Sequence, residues 1–187
     1  AASVLLVVAA TGCYRGPRAG HVRTIPPPSQ WQRVQPAQTA FSCALPGPPE
    51  ITRETSQDFD GTPVRTTVGR VIAANAAVFG FTVMEAQGGF IQDPYARARR
   101  AAEPDDDKEE VVRWEKEFRY GGFVGKDRII DLPKDQVSMY IRLLLGKTRV
   151  FGMFTVYPTR AEGQAKPLID AYLSSVQIDP SEAVSPM

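Results

Sequence analysis

The chain has 187 residues, 43% of them hydrophobic and 23% charged, with a formal net charge of +1, the make-up of one globular domain with tails. So even a balance removes any global electrostatic case for nucleic acid, because a surface that tracks phosphates needs a marked excess of Lys and Arg. Two cysteines, Cys13 and Cys43, are too few for a disulfide framework.

The first element is the apolar run from Ser3 to Ala10, followed by Thr11-Gly12-Cys13. A membrane-spanning helix needs about 20 apolar residues, whereas the apolar core of a secretory signal needs only about 7 to 15 before small residues. The run ends at the cysteine, since Tyr14-Arg15-Gly16-Pro17-Arg18 is polar and basic. Ala10-Thr11-Gly12-Cys13 resembles the bacterial lipobox, with Ala10 standing where that pattern favours Leu. The resemblance implies that residues 1–13 are a signal segment and that Cys13 is acylated. The lipid bilayer is then a partner, and the protein sits in the bacterial cell envelope, membrane-anchored and facing the periplasm or the outside. Cys43 is left without a disulfide partner and reads as a small buried hydrophobe.

Residues 14–39 read as a tether: Pro17, Pro26, Pro27, Pro28 and Pro36 lie among polar residues and favour an extended chain. Trp31 is the exception there, a large aromatic expected to pack back on the domain. The domain proper is expected over 40–179, with a disordered tail at 180–187.

Within the domain, Phe41 to Leu45 alternates large and small residues and stops at Pro46-Gly47-Pro48-Pro49, which predicts a short strand. Ile51 to Phe59 and Val64 to Ala73, joined by Asp60-Gly61, predict a hairpin. From Ala77 to Met84, Phe79, Phe81 and Val83 share one face, with Val78 and Met84 on the other. A strand apolar on both faces belongs at the centre of a covered sheet. Between Asp93 and Phe118 the pattern turns helical: Pro94 to Ala102 is one helix. Asp105 to Asp107 then cap a second helix that carries Val111, Trp114 and Phe118 at spacings of three and four. Tyr120-Gly121-Gly122-Phe123-Val124-Gly125 predicts a turn and a short bulged strand. Val137 to Leu145 and Thr148 to Tyr157 are the clearest strands, joined at Gly146-Lys147. A last helix runs from Glu162 to Ser175 with Leu168, Ile169, Tyr172 and Leu173 inward, Pro167 being tolerated in its first turn. Val176 and Ile178 then close with a short edge strand.

This order, with Phe41, Leu45-Pro46, Gly121-Gly122, Arg149 and Tyr172 to Val176 at its landmarks, resembles the PsbP-like and Mog-type α/β/α sandwiches over most of 41–178. The resemblance implies an α+β fold, an antiparallel sheet of about six strands covered by helices. It implies no function, since fold does not fix function.

The search for chemistry is mainly negative. His21, the single histidine, lies in the tether, which removes Ser-His-Asp and Cys-His triads and His-based zinc motifs from the domain. No phosphate loop or GxGxxG motif follows a strand. No metal site, cofactor or catalytic residue is therefore assigned. Asp105 to Asp107 lack calcium-loop spacing. The pairs Glu115 with Glu117 and Asp127 with Asp131 have no established proximity, and neither Ser138 nor Ser174 has a spacing that singles it out. The candidate binding surface is basic and aromatic: Arg119, Tyr120, Lys126, Arg128, Arg142 and Arg149, with Lys147 beside them. It suits acidic head groups, anionic glycans or an acidic protein partner. The sequence thus points to a non-catalytic binding or scaffold domain of the envelope. The alternatives are an enzyme with a His-free site and a purely structural envelope protein.

Overall fold

The computed structural model describes residues 20–57, 61–73, 77–86 and 110–184. Their strands are β1 (Gln32–Val34), β2 (Phe41–Leu45), β3 (Glu50–Gln57), β4 (Pro63–Ile72), β5 (Val78–Ala86), β6 (Val111–Tyr120), β7 (Phe123–Leu132), β8 (Val137–Leu145), β9 (Arg149–Pro158) and β10 (Gln177–Ile178). The helix α1 (Glu162–Ser174) lies between β9 and β10. A seven-stranded antiparallel sheet has the order β3-β4-β5-β9-β8-β7-β6, and β1-β2-β10 form a small three-stranded sheet.

This corrects the expected α+β sandwich of the PsbP-like kind. The described residues are 57% strand and 18% helical, with one helix and two antiparallel sheets, a β-sandwich. Among the described residues the large sheet is covered on its inner face by the small sheet and α1, not by a layer of helices. Phe41, Cys43 and Leu45 of β2 join Phe79, Phe81 and Val83 of β5 and Phe151 and Met153 of β9 in one buried cluster. The rings interlock, with Phe41 centred 5.1 Å from Phe81 and 6.1 Å from Phe151. Cys43 is fully buried within this cluster, and burial pushes its thiol up to about 12.

The outer face is buried too, by Val64, Val68, Val78, Met139, Leu143, Leu145, Val150, Phe154 and Val156. Strands β5 and β9, apolar on both faces, accordingly lie side by side at the middle of the order. Gly69 stands opposite Phe81 in the β4–β5 register, and a Cβ there would lie 2.3 Å from the Phe81 ring. The missing side chain is what admits the ring.

The expected second helix is corrected as well, because Val111–Tyr120 is strand β6. Val111, Trp114 and Phe118 mimic a helical period because a bulge between Val112 and Trp114 shifts the two-residue alternation by one. After the bulge Trp114, Lys116, Phe118 and Tyr120 share the inner face while Glu115, Glu117 and Arg119 share the outer one. Gly121 and Gly122, at φ +53° and +83°, close the tight hairpin into β7. That strand runs on to Leu132, longer than the short strand expected. The helix expected at 94–102, the acids Asp105 to Asp107, the lipobox-like segment 1–13 and residues 14–19 of the tether lie outside the described residues.

The remainder of the expected tether lies against the sandwich. The Ile72 amide donates to the Gly20 carbonyl at 2.5 Å and the Val22 amide to the Ile72 carbonyl at 2.9 Å. Trp31 is buried, its ring centred 5.2 Å from Phe79 and its Nε1 donating to the Pro26 carbonyl at 2.8 Å. Helix α1 turns Ala165, Ile169 and Tyr172 inward. Pro167 falls inside this helix rather than in its first turn, so the bond its missing N–H would have given to Gly163 is lost. Packing outweighs that loss: Tyr172, fully buried, donates through its hydroxyl to the Gly80 carbonyl at 2.6 Å. The segment expected as a disordered tail opens with a 3-10 turn, Pro180–Glu182, in which Glu182 is buried.

Tyr172→Phe keeps the ring contacts and removes the hydroxyl's buried hydrogen bonds, to the Gly80 carbonyl and with the Cys43 thiol. It is expected to destabilise the fold by about 1–3 kcal/mol, read as a lower urea midpoint at an unchanged slope. An unchanged midpoint would show that the hydroxyl's hydrogen bonds contribute nothing.

Candidate functional site

The sheet register decides what the predicted basic residues can do. Glu115 stands opposite Arg128, Asp127 opposite Arg142 and Glu85 opposite Arg149, the placement in which cross-strand charges attract most directly. On the outer face Glu115 accepts from Lys126 Nζ at 2.7 Å and Arg128 Nε at 2.7 Å. Both cations are largely buried, at 8% and 9% exposure. On the inner face Arg142 binds Asp127 through two bonds of 2.7 Å and lies 4.7 Å from the centre of the Phe118 ring. Burial, then Asp127, pushes the neighbouring Tyr140 hydroxyl well up. Arg119 and Tyr120 are exposed at the end of β6, and Lys147 is exposed in the β8–β9 turn. The set therefore spans both faces of the sheet, and Lys126, Arg128, Arg142 and Arg149 are each neutralised by a carboxylate. It does not form one basic patch.

The carboxylate pairs read from sequence are accounted for by the same contacts. Glu115 holds Lys126 and Arg128, Asp127 holds Arg142, and Asp131 lies 3.3 Å from Arg113. Ser138 is fully buried and donates to Asp131 Oδ1 at 2.7 Å, which leaves it no part in a serine–lysine pair.

Arg149 belongs to a different constellation. In the row Arg65–Glu85–Arg149 across β4, β5 and β9, Glu85 lies between two guanidiniums, 3.8 Å from Arg65 and 2.5 Å from Arg149. Arg53 of β3, one row away opposite Thr67, completes the cationic side. The loop Ala37–Thr39 between β1 and β2 forms the rim, so these groups, with Thr67 and Val83, line a cleft of about 160 Å³. Gln38 and Ala40 hold φ of +66° and +53° there, a left-handed backbone that costs a non-glycine residue on the order of 1–3 kcal/mol. The loop is pinned by Thr39, whose hydroxyl donates to the Pro36 carbonyl at 2.7 Å, and by Arg65, which donates to Gln38 Oε1 at 3.3 Å.

Three arginines and one carboxylate line this cleft, and with Glu182 bound to Arg149 beside it the cluster keeps one net positive charge. Arg149 is the anchor: one terminal nitrogen meets Glu85, the other Glu182, while its buried Nε has no hydrogen-bond partner among the described residues. Glu182 is fixed in turn by the Thr148 hydroxyl at 3.0 Å and the Thr148 amide at 3.2 Å. Arg53 has no ion pair among the described residues. The arrangement offers donors and positive charge to an anionic group. Its one carboxylate, Glu85, is clamped between two cations. Arg53 and Arg65 were absent from the sequence-derived set. The signal available was the Asp60-Gly61 hairpin, whose register brings them to one face.

The Glu115 cluster gives a pH prediction. The Lys126 ammonium, more than Arg128, holds the Glu115 carboxyl below its ordinary value of 4.5. A carboxylate depressed in the folded state stabilises it above the ordinary value and loses that contribution as pH falls through the folded one. Glu115→Gln should therefore lower thermal stability at neutral pH and flatten its decline below about pH 4.5. Parallel acid limbs for the two proteins in calorimetry would contradict this.

No family model and no curated protein matches this chain.

Proposed function

We propose that this chain is a non-catalytic binding domain of the bacterial cell envelope, tethered to a membrane through Cys13, and that the Arg53–Arg65–Arg149 cleft takes an anionic group of its partner. The observation that carries the reading is the surplus of arginine over carboxylate at the cleft, with Arg53 in no ion pair among the described residues. The envelope setting rests on the apolar run that ends at Cys13. Among the described residues no helix is long and apolar enough to cross a membrane. A lipid on Cys13 supplies only marginal attachment if it is a single chain, so stable anchoring calls for more than one.

Two measurements test the two halves. Titration calorimetry with inorganic phosphate and with acetate is expected to give saturable binding, weakened about tenfold by Arg53→Ala or Arg65→Ala, the loss of one charge-assisted hydrogen bond. Binding that both variants leave intact, or no binding to either anion, would sink the cleft reading. Palmitate labelling of the native protein is expected to disappear in Cys13→Ser, and labelling that persists there would remove the anchor.

A further inference from the structure

The exposed large apolar side chains of the described residues all lie on the two edge strands of the large sheet. Ile51 is on β3, and Val111, Val112, Trp114 and Tyr120 are on β6. Strand β6 is long, pairs on one side with β7, and has every residue exposed except Phe118. Among the described residues its other edge has no strand partner and so presents backbone donors and acceptors, a template for another strand. Natural edges are blunted by charges and bulges, and β6 has both. The bulge, however, sits at the start of the strand, between Val112 and Trp114, and leaves Trp114 to Tyr120 regular.

That regular segment reads Trp114-Glu115-Lys116-Glu117-Phe118-Arg119-Tyr120, and its charges select its own antiparallel copy in one register. About a twofold axis normal to the sheet, residues that face each other must share a face. Centred on Glu117, the pairing sets Glu115 opposite Arg119 twice, Trp114 opposite Tyr120 twice and Lys116 opposite Phe118 twice. These are ion pairs, aromatic pairs and cation–aromatic pairs. Centred one residue earlier, on Lys116, it sets Glu115 opposite Glu117 and Arg113 opposite Arg119, which repel. Arg119 has no ion pair of its own among the described residues. The single like-charge contact in the favoured register is Glu117 on its own copy, and Lys126 lies 4.0 Å from each Glu117 to offset it.

We infer that two copies of this chain associate through β6, antiparallel and centred on Glu117, to make one continuous sheet from two seven-stranded halves. The paired length is short, so the dimer is weak and concentration-dependent.

Sedimentation velocity over a wide concentration range is expected to show a reversible monomer–dimer equilibrium. Glu117→Gln removes the central repulsion and should strengthen it several-fold. Arg119→Glu sets carboxylate against carboxylate at both Glu115 contacts and should abolish it. Both positions are exposed, so an unchanged circular dichroism spectrum checks that folding is intact. The register is read separately in a Cys13→Ser background. Glu117→Cys places two sulfurs on the axis, with Cα atoms about 4.5–5.5 Å apart, within disulfide reach. Arg119→Cys places them four residues apart along the strands, on the order of 13 Å. Mild oxidation should therefore cross-link the first and not the second. A wild-type chain that stays monomeric throughout, or cross-linking as efficient at 119 as at 117, would overturn the inference.

Discussion

The structure depends on one contact, the seating of the Phe79, Phe81 and Phe151 rings beneath Phe41, Trp31 and Tyr172. Each ring buries roughly 150–250 Å², an upper bound on the order of 4–6 kcal/mol of transfer free energy apiece. The contact draws on distant parts of the chain. Trp31 comes from the proline-rich segment, Phe41 from the small sheet and Tyr172 from α1. It therefore closes long loops at once and makes the proline-rich segment from Gly20 onward part of the fold. It also locks register: Phe81 fits only where Gly69 leaves room, and a slip by one residue would turn each side chain to the opposite face. The row Arg65–Glu85–Arg149 exists because that slip is forbidden.

Register also explains why a chain with 22 basic and 21 acidic residues shows so little free charge on this sheet. The acids and bases of β5 to β9 fall opposite one another, so Glu115, Asp127 and Glu85 consume the cations facing them. Exposed pairs of this kind contribute little to stability. The pairs here serve mainly to offset the cost of holding Lys126 and Arg128 at nearly buried positions. What remains outside this neutralisation is Arg53 at the cleft, which has no acid opposite it because its cross-strand neighbour is Thr67.

Much of the sheet was legible in the sequence, and for a definite reason. In Phe79 to Met84 and Val137 to Tyr157 both faces are marked by two-residue alternation, and the turns Asp60-Gly61 and Gly146-Lys147 punctuate them. The small sheet was only partly legible, because Phe41 to Leu45 is a strand signal while Gln32–Val34 and Gln177–Ile178 are too short to show a period. Strand β6 was misread because a bulge imitates a helical spacing, and because its many strong helix formers, Glu, Lys and Arg, say nothing of tertiary pairing. The candidate site was legible only in Arg149. Which basic residues are free depends on what stands across the strand, a relation between positions as far apart as Glu85 and Arg149. Composition is blind to it.

The two edges of the large sheet differ in a way that bears on assembly. Strand β3 is also exposed along its length, but its charges are segregated: Glu50 and Glu54 share one face, and Arg53 lies on the other with Ile51. Since facing residues share a face, no antiparallel register of β3 with itself brings Glu opposite Arg, and one sets Glu50 against Glu54. Strand β6 carries both signs on its outer face, Glu115 and Glu117 with Arg119, and so can be self-complementary. Pairing at β6 alone closes after two copies rather than propagating into a fibre. The twofold normal to the sheet would keep both inner faces on one side, with the two arginine clefts near opposite ends. At about 4.8 Å per strand they would lie on the order of 40 Å apart. A pair of weak anion sites on one side of a rigid sheet binds a surface of repeated anionic groups more tightly than either site alone, because the second contact forms at a high effective concentration.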